Sequence, residues 1–491
     1  MKVTTNEQKT VLYPHKQLHG RKQIFVDTDT ITRENIIEVL NKCLPVHLSN
    51  RSDEEYLYNY LRGKQPILDR IKSANADIVN KVVVNRANEI VTFKTANFVG
   101  EPIQYVARGS KKSIPRKIER LNSMMMSEGK ASKDMELAYW MFTYGVAYRL
   151  ILNDKAMPIA NGDLYDDAPF EIYTLDSRNT FVAKSNNVMQ NPVMGVTYVY
   201  LDENRVKYTA YTRNATYTLV GTAQRAEEIV SDPIIHNFGY IPIVEYPCNP
   251  LRMGAFEIVI DLLDAINLTE SNRLDGVEQF IQALMIFKGV DITREDFLKL
   301  KDLGAIVLPR AMDGGAAPDI DYLCEQLDQN QTQTLTDSLY QEVLEIVGMP
   351  SQSKGNTSDS SNNGAVMLKN GWWGAESRAK ETVGMWRSAE TNFLKLVLKI
   401  CRDANTIDLR VSDIDMKFGR SGYEDLLTKT TAFSTLISAN CPPVQAFTLS
   451  HLTVDPESAA LMYEAYQEKE VDELSQNSKT PPVADKMDIS E

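Results

Sequence analysis

The sequence predicts an α+β protein in which helical regions flank a sheet-rich centre. Apolar residues recur at helical spacing between residues 77 and 98 and again after residue 255. Between residues 146 and 247, short runs rich in β-branched and aromatic residues alternate with turn signals such as Asn161-Gly162. The order of these patterns predicts a helical framework that carries an antiparallel sheet.

The composition is that of a folded globular chain with several domains. The sequence has 491 residues, of which 43% are hydrophobic and 24% are charged. At roughly 150 residues per domain, this length predicts about three domains. The 53 basic and 66 acidic residues give a net charge of −13. Because proteins that coat nucleic acid usually carry a basic face, this charge argues against that class, although not against a protein that handles DNA without holding it.

The cysteines and the N-terminal residues indicate a protein that is made and kept in a cytoplasm-like compartment. The five cysteines are scattered and form no Cys-x-x-Cys pair, which is typical of reduced thiols. We expect no signal peptide, because residues 1–7 contain no apolar segment. We also expect no membrane span, since no window of about 18 apolar residues occurs.

Local signals predict the individual elements of the first half of the chain. Ser52 followed by Glu55 is the pattern of a capping box, which predicts a helix from there to Gly63. Further helices are predicted over 77–98, 114–126 and 131–144, with a short strand at 103–106. The predicted strands of the sheet lie at 146–152, 170–175, 196–201, 206–212 and 217–220.

Long helices are predicted in the second half of the chain. In the first, at about 256–286, Glu270 and Arg273 interrupt the apolar stripe, which suits a helix that packs against copies of itself. A small unit at 290–325 follows, with a helix near 294–302 and a strand at 305–308. The remaining predictions are a helix at 329–347 with Leu335, Leu339, Val343 and Ile346 on one face, a helix at 366–402, a strand at 407–411, and helices at 423–438, 443–450 and 456–470.

A polar segment separates two of these helices. Every residue from 351 to 364 is polar or glycine, and Lys354 is its one positive charge. This composition predicts a flexible loop. Lys354 has the chemistry to contact a phosphate, but a lysine in a polar loop is more often simply solvated.

The sequence contains few candidates for catalysis, and it predicts no cofactor. It has no phosphate-binding G-x4-GK-[ST] loop and no HExxH or GxSxG pattern. Three pairs of acids one residue apart have the chemistry to hold Mg²⁺, although such pairs more often lie in turns and on solvated faces: Asp27/Asp29, Asp319/Asp321 and Asp413/Asp415. Pro14 and Gly20 flank the pair His15/His19 and favour a mobile arm over a metal site.

Two adjacent tryptophans, Trp372 and Trp373, allow two interpretations. Exposed aromatic rings are typical platforms for stacking single-stranded nucleic acid. Adjacent helical residues, however, point about 100° apart, which favours packing of the two rings between neighbouring helices.

Four runs in the sequence together resemble one protein family. They are YLRGKQPI at 60–67, NEIV at 88–91 leading to FVGEPIQY at 98–105, NPLRMGAFE at 249–257, and NGWWGAESRAK at 370–380. In this order they resemble the portal proteins of tailed bacteriophages, in particular the type found in long-tailed phages of Gram-positive bacteria. The resemblance extends over roughly residues 30–405, and no single run is diagnostic alone.

The resemblance implies a portal-like architecture and a ring of twelve identical subunits. The implied parts are an N-terminal arm at 1–30, a wing at 31–252, a stem helix at 253–288, a clip at 289–327, a second stem helix at 328–348, a tunnel loop at 349–365, a long kinked helix with a wing strand at 366–419, a helical crown at 420–470 and an acidic flexible tail at 471–491.

The resemblance also implies a function without catalysis. The ring would form the channel at one capsid vertex through which double-stranded DNA is packaged and later ejected. The implied partners are further copies of the chain, the large subunit of the packaging motor, major capsid and scaffolding proteins, and head-completion proteins. The implied location is the virion, with assembly in the host cytoplasm. The tunnel-loop residues expected to face DNA are Ser353, Lys354, Asn356, Ser358, Ser360 and Asn362.

Two other function classes remain open from the residues alone. A metal-dependent nuclease or phosphotransferase could use an acidic pair such as Asp319/Asp321, but it would need a fixed acidic cluster and a basic substrate cleft. A tail or baseplate scaffold protein would share the oligomeric behaviour. It would lack the order of long helix, polar loop and long helix that this sequence predicts.

Overall fold

The structure, a computed structural model, has mixed helix and sheet and describes residues 18–72, 78–108, 113–153, 168–236, 238–281, 284–288, 319–323, 329–351, 371–419, 426–453 and 456–477. The helices within these residues are α1 (Ile36–Leu61), α2 (Arg86–Val99), α3 (Ile114–Ser127), α4 (Lys130–Tyr144), α5 (Ile260–Ile281), α6 (Gln329–Val347), α7 (Trp372–Asp403), α8 (Leu426–Ser438), α9 (Pro443–Ser450) and α10 (Pro456–Asn477). The strands are β1 (Ile24–Val26), β2 (Gln104–Ala107), β3 (Val146–Asn153), β4 (Phe170–Leu175), β5 (Thr180–Ser185), β6 (Pro192–Tyr200), β7 (Val206–Tyr211), β8 (Ala215–Thr222), β9 (Arg225–Ile229), β10 (Ile234–Ile235), β11 (Ile243–Pro247), β12 (Leu284–Lys288), β13 (Asp319–Leu323) and β14 (Ile414–Lys417).

The chain divides into two compact units. The first unit comprises Met1–Leu18, Tyr58–Glu89 and Phe256–Ser351. In it, α5 packs against α6, and β12 pairs with β13 in antiparallel register. The second unit comprises the rest of the chain and contains the larger sheets.

The largest sheet of the second unit has seven strands. Their order is β1-β5-β6-β7-β8-β10, with β9 also paired to β8. All pairs are antiparallel except β1 with β5. The first part of α1 lies in the core of this sheet, where Ile36, Leu40 and Leu44 are buried together with apolar residues of the strands. This spacing of four residues places one helix face on the sheet.

Two smaller sheets join the helices of the second unit. One has the order β11-β3-β4, and the other pairs β14 with β2. Gly145 joins α4 to β3 with a φ of +85°, and a Cβ atom there would lie 2.2 Å from the carbonyl oxygen of Arg252. Only glycine fits this position, because both the backbone angle and the available space exclude a side chain.

Most elements predicted from local pattern are confirmed. The predicted helices at 114–126, 131–144 and 329–347 and the five predicted sheet strands occur with boundaries that differ by a few residues. The long helix before residue 402 also occurs, and Trp386, Phe393 and Val397 on its predicted stripe are buried. It begins at Trp372, after Gly371 with a φ of +74°.

Two predictions in the first half of the chain are wrong, and one strand was not predicted. Ser52 does not open a helix but lies inside α1, which begins at Ile36 and continues through Pro45 because its buried face packs on the sheet. The helix predicted from residue 77 begins only at Arg86, after an extended segment at 78–85. Strand β1 lies within the range predicted as an N-terminal arm.

Three predictions in the second half also need correction, whereas the predicted face of α6 does not. Leu335, Val343 and Ile346 share that face by their spacing on the helix, although only Val343 is buried. Helix α5 ends at Ile281, and residues 284–288 form strand β12 instead of further helix. The strand predicted at 407–411 lies at 414–417, where it pairs with β2. Helix α10 extends to Asn477, into the range predicted as a flexible tail.

Candidate functional site

The six residues predicted to face DNA lie outside the described residues, but the chain is described on both sides of them. Before the segment, α6 ends at Val347 and is followed by Gly348 with a φ of +68°. The Ser351 hydroxyl donates to Oε1 of Gln341 at 2.5 Å and holds this end against α6. The other side begins at Gly371, the residue before α7. Glycine with positive φ therefore lies next to a helix end on each side of the polar segment.

Helices α5 and α6 of the first unit are strongly acidic. Their sequences contain eight acidic side chains and one basic side chain, Arg273. Four of the acids are exposed: Asp261, Glu278, Glu342 and Glu345. The pair therefore presents negative charge to solvent, whereas the longer helix α7 contains more basic than acidic residues.

The two charged residues that interrupt the apolar stripe of α5 are part of its contact with α6. Arg273 donates through Nη1 to Oε1 of Gln333 at 2.6 Å and lies 3.8 Å from Glu270. Gln333 in turn donates to Asp337 at 2.8 Å. Arg273 therefore helps to join α5 to α6 within one chain. The sequence had instead indicated that this charged part of α5 packs against copies of itself.

Some apolar residues on these two helices remain uncovered within the chain. Leu274 and Val277 on α5 are each 42% exposed, and Leu335 on α6 is 52% exposed. Together with the acidic side chains they form a surface that is apolar in places and acidic overall. Apolar residues scattered over a surface are normal, so their exposure alone does not identify a partner.

A row of polar side chains on α5 binds an extended backbone segment of the same unit. We call residues 78–85 the strap. The backbone N–H groups of Val84, Val82 and Asn80 donate to Asn267 Oδ1 at 2.8 Å, Ser271 Oγ at 3.0 Å and Asp275 Oδ1 at 2.7 Å. These three α5 residues are buried, so the bonds are shielded from water. The sequence could have indicated this face, because polar residues recur there at every fourth position.

The carboxylate of Asp275 ends this row. Besides the Asn80 N–H, it contacts Arg70 Nη2 at 2.9 Å and Lys72 Nζ at 2.8 Å. Burial raises the pKa of Asp275, but the bonds from Lys72 and Asn80 and the charge of Arg70 outweigh it, and the pKa is lowered. Asp275 is therefore ionised and holds two cations and the strap together.

The second unit contains a buried cluster of four charges around Glu390, which we call the charge quartet. Lys130 Nζ lies 2.5 Å from Asp134 and 2.9 Å from Glu390. Arg149 lies 2.5 Å from Asp134 and 3.8 Å from Glu390. All four side chains are at most 5% exposed. Two positive and two negative groups balance each other, as burial of charge requires.

Two tyrosines complete the hydrogen bonds of Glu390. The hydroxyls of Tyr105 and Tyr246 donate to its two carboxylate oxygens at 2.5 and 2.7 Å. Burial raises the pKa of Glu390, yet the charges of Lys130 and Arg149 and the Tyr105 bond lower it overall. Burial and the neighbouring carboxylate raise the pKa of both tyrosines, which keeps them as donors. The sequence could have indicated this site, because Glu390 is an acid that lies between Trp386 and Phe393 on the apolar stripe of a helix.

Glu54 on α1 is also a buried carboxyl, but unlike Glu390 its pKa is raised instead of lowered. Its side chain is 2% exposed in the core, and its Oε2 has no hydrogen-bond partner. Burial raises the pKa of Glu54 well above its ordinary value, although the charge of Arg21 opposes the shift. Glu54 therefore favours the protonated form.

A comparison with protein families identifies the chain. Residues 40–470 match the model of a family described as phage portal protein, SPP1 Gp6-like. This match covers most of the 491 residues. The chain belongs to this family of phage portal proteins.

Individual proteins resemble the portal chain only weakly. A solved structure described as the neck of an empty GTA particle, computed with C6 symmetry, aligns with 75% of the portal chain and 90% of its own chain. The sequence identity is 11% and the TM-score is 0.41. No curated protein matches the portal sequence.

The acidic pairs predicted as candidate Mg²⁺ sites lie in turns and strands of the portal chain, where most of them bond to neighbouring side chains. Asp27 and Asp29 accept bonds from Asn186 and Asn187 at 3.0 Å each. Asp413 caps a helical turn, and Asp415 pairs with Lys417 at 3.0 Å. Asp319 and Asp321 lie on β13, opposite Lys288 and Ile286 of β12.

Trp372 and Cys401 of the portal chain pack against other side chains. The Trp372 ring lies 6.1 Å from that of Phe93 on α2, as the packing interpretation predicted. Cys401 is buried on α7, also as predicted. His15 lies outside the described residues.

Within the part of the chain that the structure describes, no group of three or more His, Cys, Asp or Glu side chains is arranged to hold a metal ion. No helix in those residues is long and apolar enough to cross a membrane.

Proposed function

We propose that this portal chain assembles into a ring around a channel at one capsid vertex, through which double-stranded DNA is packaged and later ejected. Membership of the portal family supports the proposal. The observation that carries it beyond the family is the charge of α5 and α6, eight acids against one base. In our assignment these two helices line the channel.

An acidic wall suits a channel through which DNA must move. Each fixed contact between a lysine and a phosphate adds binding free energy that has to be broken at the next step. Carboxylates on the wall repel phosphates and keep the duplex away from the surface. We propose that the segment at 349–365 projects toward the DNA as a tunnel loop. Its DNA-facing residues are Ser353, Lys354, Asn356, Ser358, Ser360 and Asn362.

We assign the remaining parts of the chain by the same architecture. The wing comprises 31–252, the clip 289–327 and the crown 420–470, with a long kinked helix at 366–419. The clip would face outward and bind the packaging motor. Because the sequence has no phosphate-binding G-x4-GK-[ST] loop, the energy for DNA movement would come from a partner ATPase.

The proposed partners and location follow from the same role. We propose a ring of twelve copies that contacts major capsid and scaffolding proteins during assembly in the host cytoplasm. After packaging, head-completion proteins would replace the motor on the clip. The chain would then remain in the virion, and we assign it no catalytic activity.

Electron microscopy of the purified full chain tests the ring. We expect rings with an axial hole wide enough for duplex DNA. Val277→Asp should reduce ring formation, because it places a charge on an apolar part of the α5 surface. Met126→Asp, at a methionine of the second unit that is 84% exposed, is the control and should leave rings intact. A stable monomer under all conditions, or divalent-dependent DNA cleavage that Asp319→Ala abolishes, would contradict the proposal.

The tunnel loop has its own test. Lys354→Ala, or deletion of residues 353–362, should leave ring assembly intact and reduce the fraction of particles that package and retain DNA. Lys64→Ala is the matched control, since it removes a lysine from a different part of the chain. If the loop variants fail to form rings, the loop has a structural role and the DNA-facing assignment is wrong.

A further inference from the structure

The contact between α5 and the strap repeats along its length. Asn267, Ser271 and Asp275 follow one another at intervals of four residues, and they bind the N–H groups of every second strap residue. Four helical residues rise about 6.0 Å, and two extended residues span about 6.6 Å. The two spacings nearly match, so one acceptor per helical turn meets alternate donors of the strap.

A repeating contact does not by itself select one register. If the strap moved by one turn toward the C-terminal end of α5, the Val84 N–H would meet Ser271 and the Val82 N–H would meet Asp275. Both would again find an oxygen acceptor. The sequence continues the same interval with Gln279, a residue type that also carries an acceptor.

If the strap moved by one turn toward the N-terminal end of α5, it would find no further acceptor. Four residues before Asn267 lies Leu263, which is apolar and 1% exposed. The Val84 N–H would then face a side chain without an acceptor, and a buried unpaired donor is unfavourable. The row of acceptors therefore permits a shift in one direction only.

Contacts that do not repeat distinguish the observed register. The Tyr60 hydroxyl donates to Asp264 at 2.8 Å, and Arg70 bonds to Asn272. In addition, Asn267 donates to Gln65 at 2.5 Å, which fixes the orientation of its amide. Each contact occurs once. Arg70 also donates to the Asn80 carbonyl at 3.0 Å, and Lys81 donates to the Leu68 carbonyl at 2.6 Å, so the segment at 60–72 moves together with the strap. A shift of the strap by one turn along α5 would therefore break all three contacts.

We propose that α5 and the strap form a latch with two registers, one helical turn apart. The repeating row binds the strap in both registers, and the contacts of Tyr60 and Arg70 hold the observed one. Shifts of one element past another by a whole turn are a known form of conformational change in packed proteins. The latch rests on contacts within the first unit and does not depend on the proposed function.

Engineered disulfides in the full chain test the latch. The pair Val84→Cys with Asn267→Cys reports the observed register, and Val84→Cys with Ser271→Cys reports the shifted one, because a disulfide needs the two Cα atoms within about 7 Å. Mass spectrometry of peptides identifies which disulfide forms beside the native cysteines. The unlocked background carries Tyr60→Phe and Asn272→Ala, which remove two of the three distinguishing contacts, those of Tyr60 with Asp264 and of Arg70 with Asn272.

We expect the 84–267 disulfide to form in the unaltered background and the 84–271 disulfide to increase by about tenfold or more in the unlocked background. Tyr58→Phe is the control and should leave the distribution unchanged. Absence of the 84–271 disulfide from an unlocked chain that still forms 84–267 would overturn the proposal. If the double change prevents folding, Tyr60→Phe alone gives the same comparison. If a disulfide between Val84→Cys and Leu263→Cys formed as readily as the 84–271 disulfide, the strap would shift in both directions along α5, and the one-directional shift would be wrong.

Discussion

The two units each bury an ionised carboxylate, but they hold it in different ways. Asp275 in the first unit accepts a backbone N–H and contacts two cations from the segment at 70–80. Glu390 in the second unit has no backbone partner among its described bonds and relies on four side chains from separate elements. The first carboxylate fastens one chain segment to one helix. The second joins β2, α4, β3, β11 and α7.

This difference predicts different costs of removing the charge. A neutral amide in place of Asp275 can still accept the backbone N–H. A neutral amide in place of Glu390 leaves two cations facing one carboxylate, that of Asp134, in a buried site. Buried ion pairs add little net stability over apolar packing, but removing one partner alone is costly.

Glu390→Gln should therefore give the largest effect. We expect the free energy of unfolding of the second unit to fall by about 3–5 kcal/mol, because Lys130 and Arg149 lose one of their two counter-charges. Chemical denaturation of the variant, monitored by circular dichroism, measures this. Glu381→Gln, at an exposed acid of the same helix, is the matched control and should change stability by less than about 0.5 kcal/mol. Equal effects of the two substitutions would mean that the charge quartet has no special role.

Asp275→Asn should have a smaller effect that is confined to the first unit. We expect a loss of about 2 kcal/mol, since hydrogen bonds to charged groups contribute roughly 1.5–3 kcal/mol and the amide retains one of them. Hydrogen exchange should show faster exchange of the Asn80, Val82 and Val84 amides. Glu278→Gln, three residues further along α5 and exposed, is the control and should leave these amides unchanged. Loss of protection in β6 or β7 instead would contradict the local role of Asp275.

Elements held by local periodicity were predictable from the sequence, whereas elements held by distant partners were not. Helices α3, α4 and α6 and strands β3, β4, β6, β7 and β8 follow local periodicity, and each was predicted within a few residues. Strands β5, β9, β10 and β11 were not predicted. The strap was predicted as helix because its hydrogen-bond partners on α5 lie about 190 residues away in sequence. Strand β1 was missed for a similar reason, since its partner β5 follows after more than 150 residues.

The candidate site was predictable to a different degree. The acidic character of α5 and α6 could be predicted, because it is a count of residue types on predicted helices. The charge quartet could not, although an acid between Trp386 and Phe393 marked its position. Nothing in the local pattern shows that Lys130, Asp134 and Arg149 lie beside that acid, since the contact depends on how α4, β3 and α7 pack.

Glu54 differs from both of these carboxylates, because its pKa is shifted in the opposite direction. A carboxyl whose pKa is lowered by folding, as in Glu390 and Asp275, contributes stability above about pH 4.5 and loses it as the pH falls. A carboxyl whose pKa is raised contributes stability at low pH and loses it as the pH rises through the folded value. Above about pH 4.5, Glu54 ionises readily in the unfolded chain but not in the folded one, and this difference lowers the free energy of unfolding.

Glu54→Gln should accordingly raise the free energy of unfolding at pH 7, because the amide removes the cost of withholding ionisation from a buried carboxyl whose pKa is raised. The gain should disappear below about pH 4, where the carboxyl is protonated in both states. Denaturation curves of the variant and the unaltered chain between pH 3.5 and 8 measure both effects, with Glu55→Gln, at the exposed acid next to Glu54, as the matched control. If Glu54→Gln destabilises the protein at pH 7, Glu54 is ionised there and paired with Arg21 or Arg252. It would then belong with Glu390 and Asp275, and burial alone would not decide the charge state of a carboxyl in this fold.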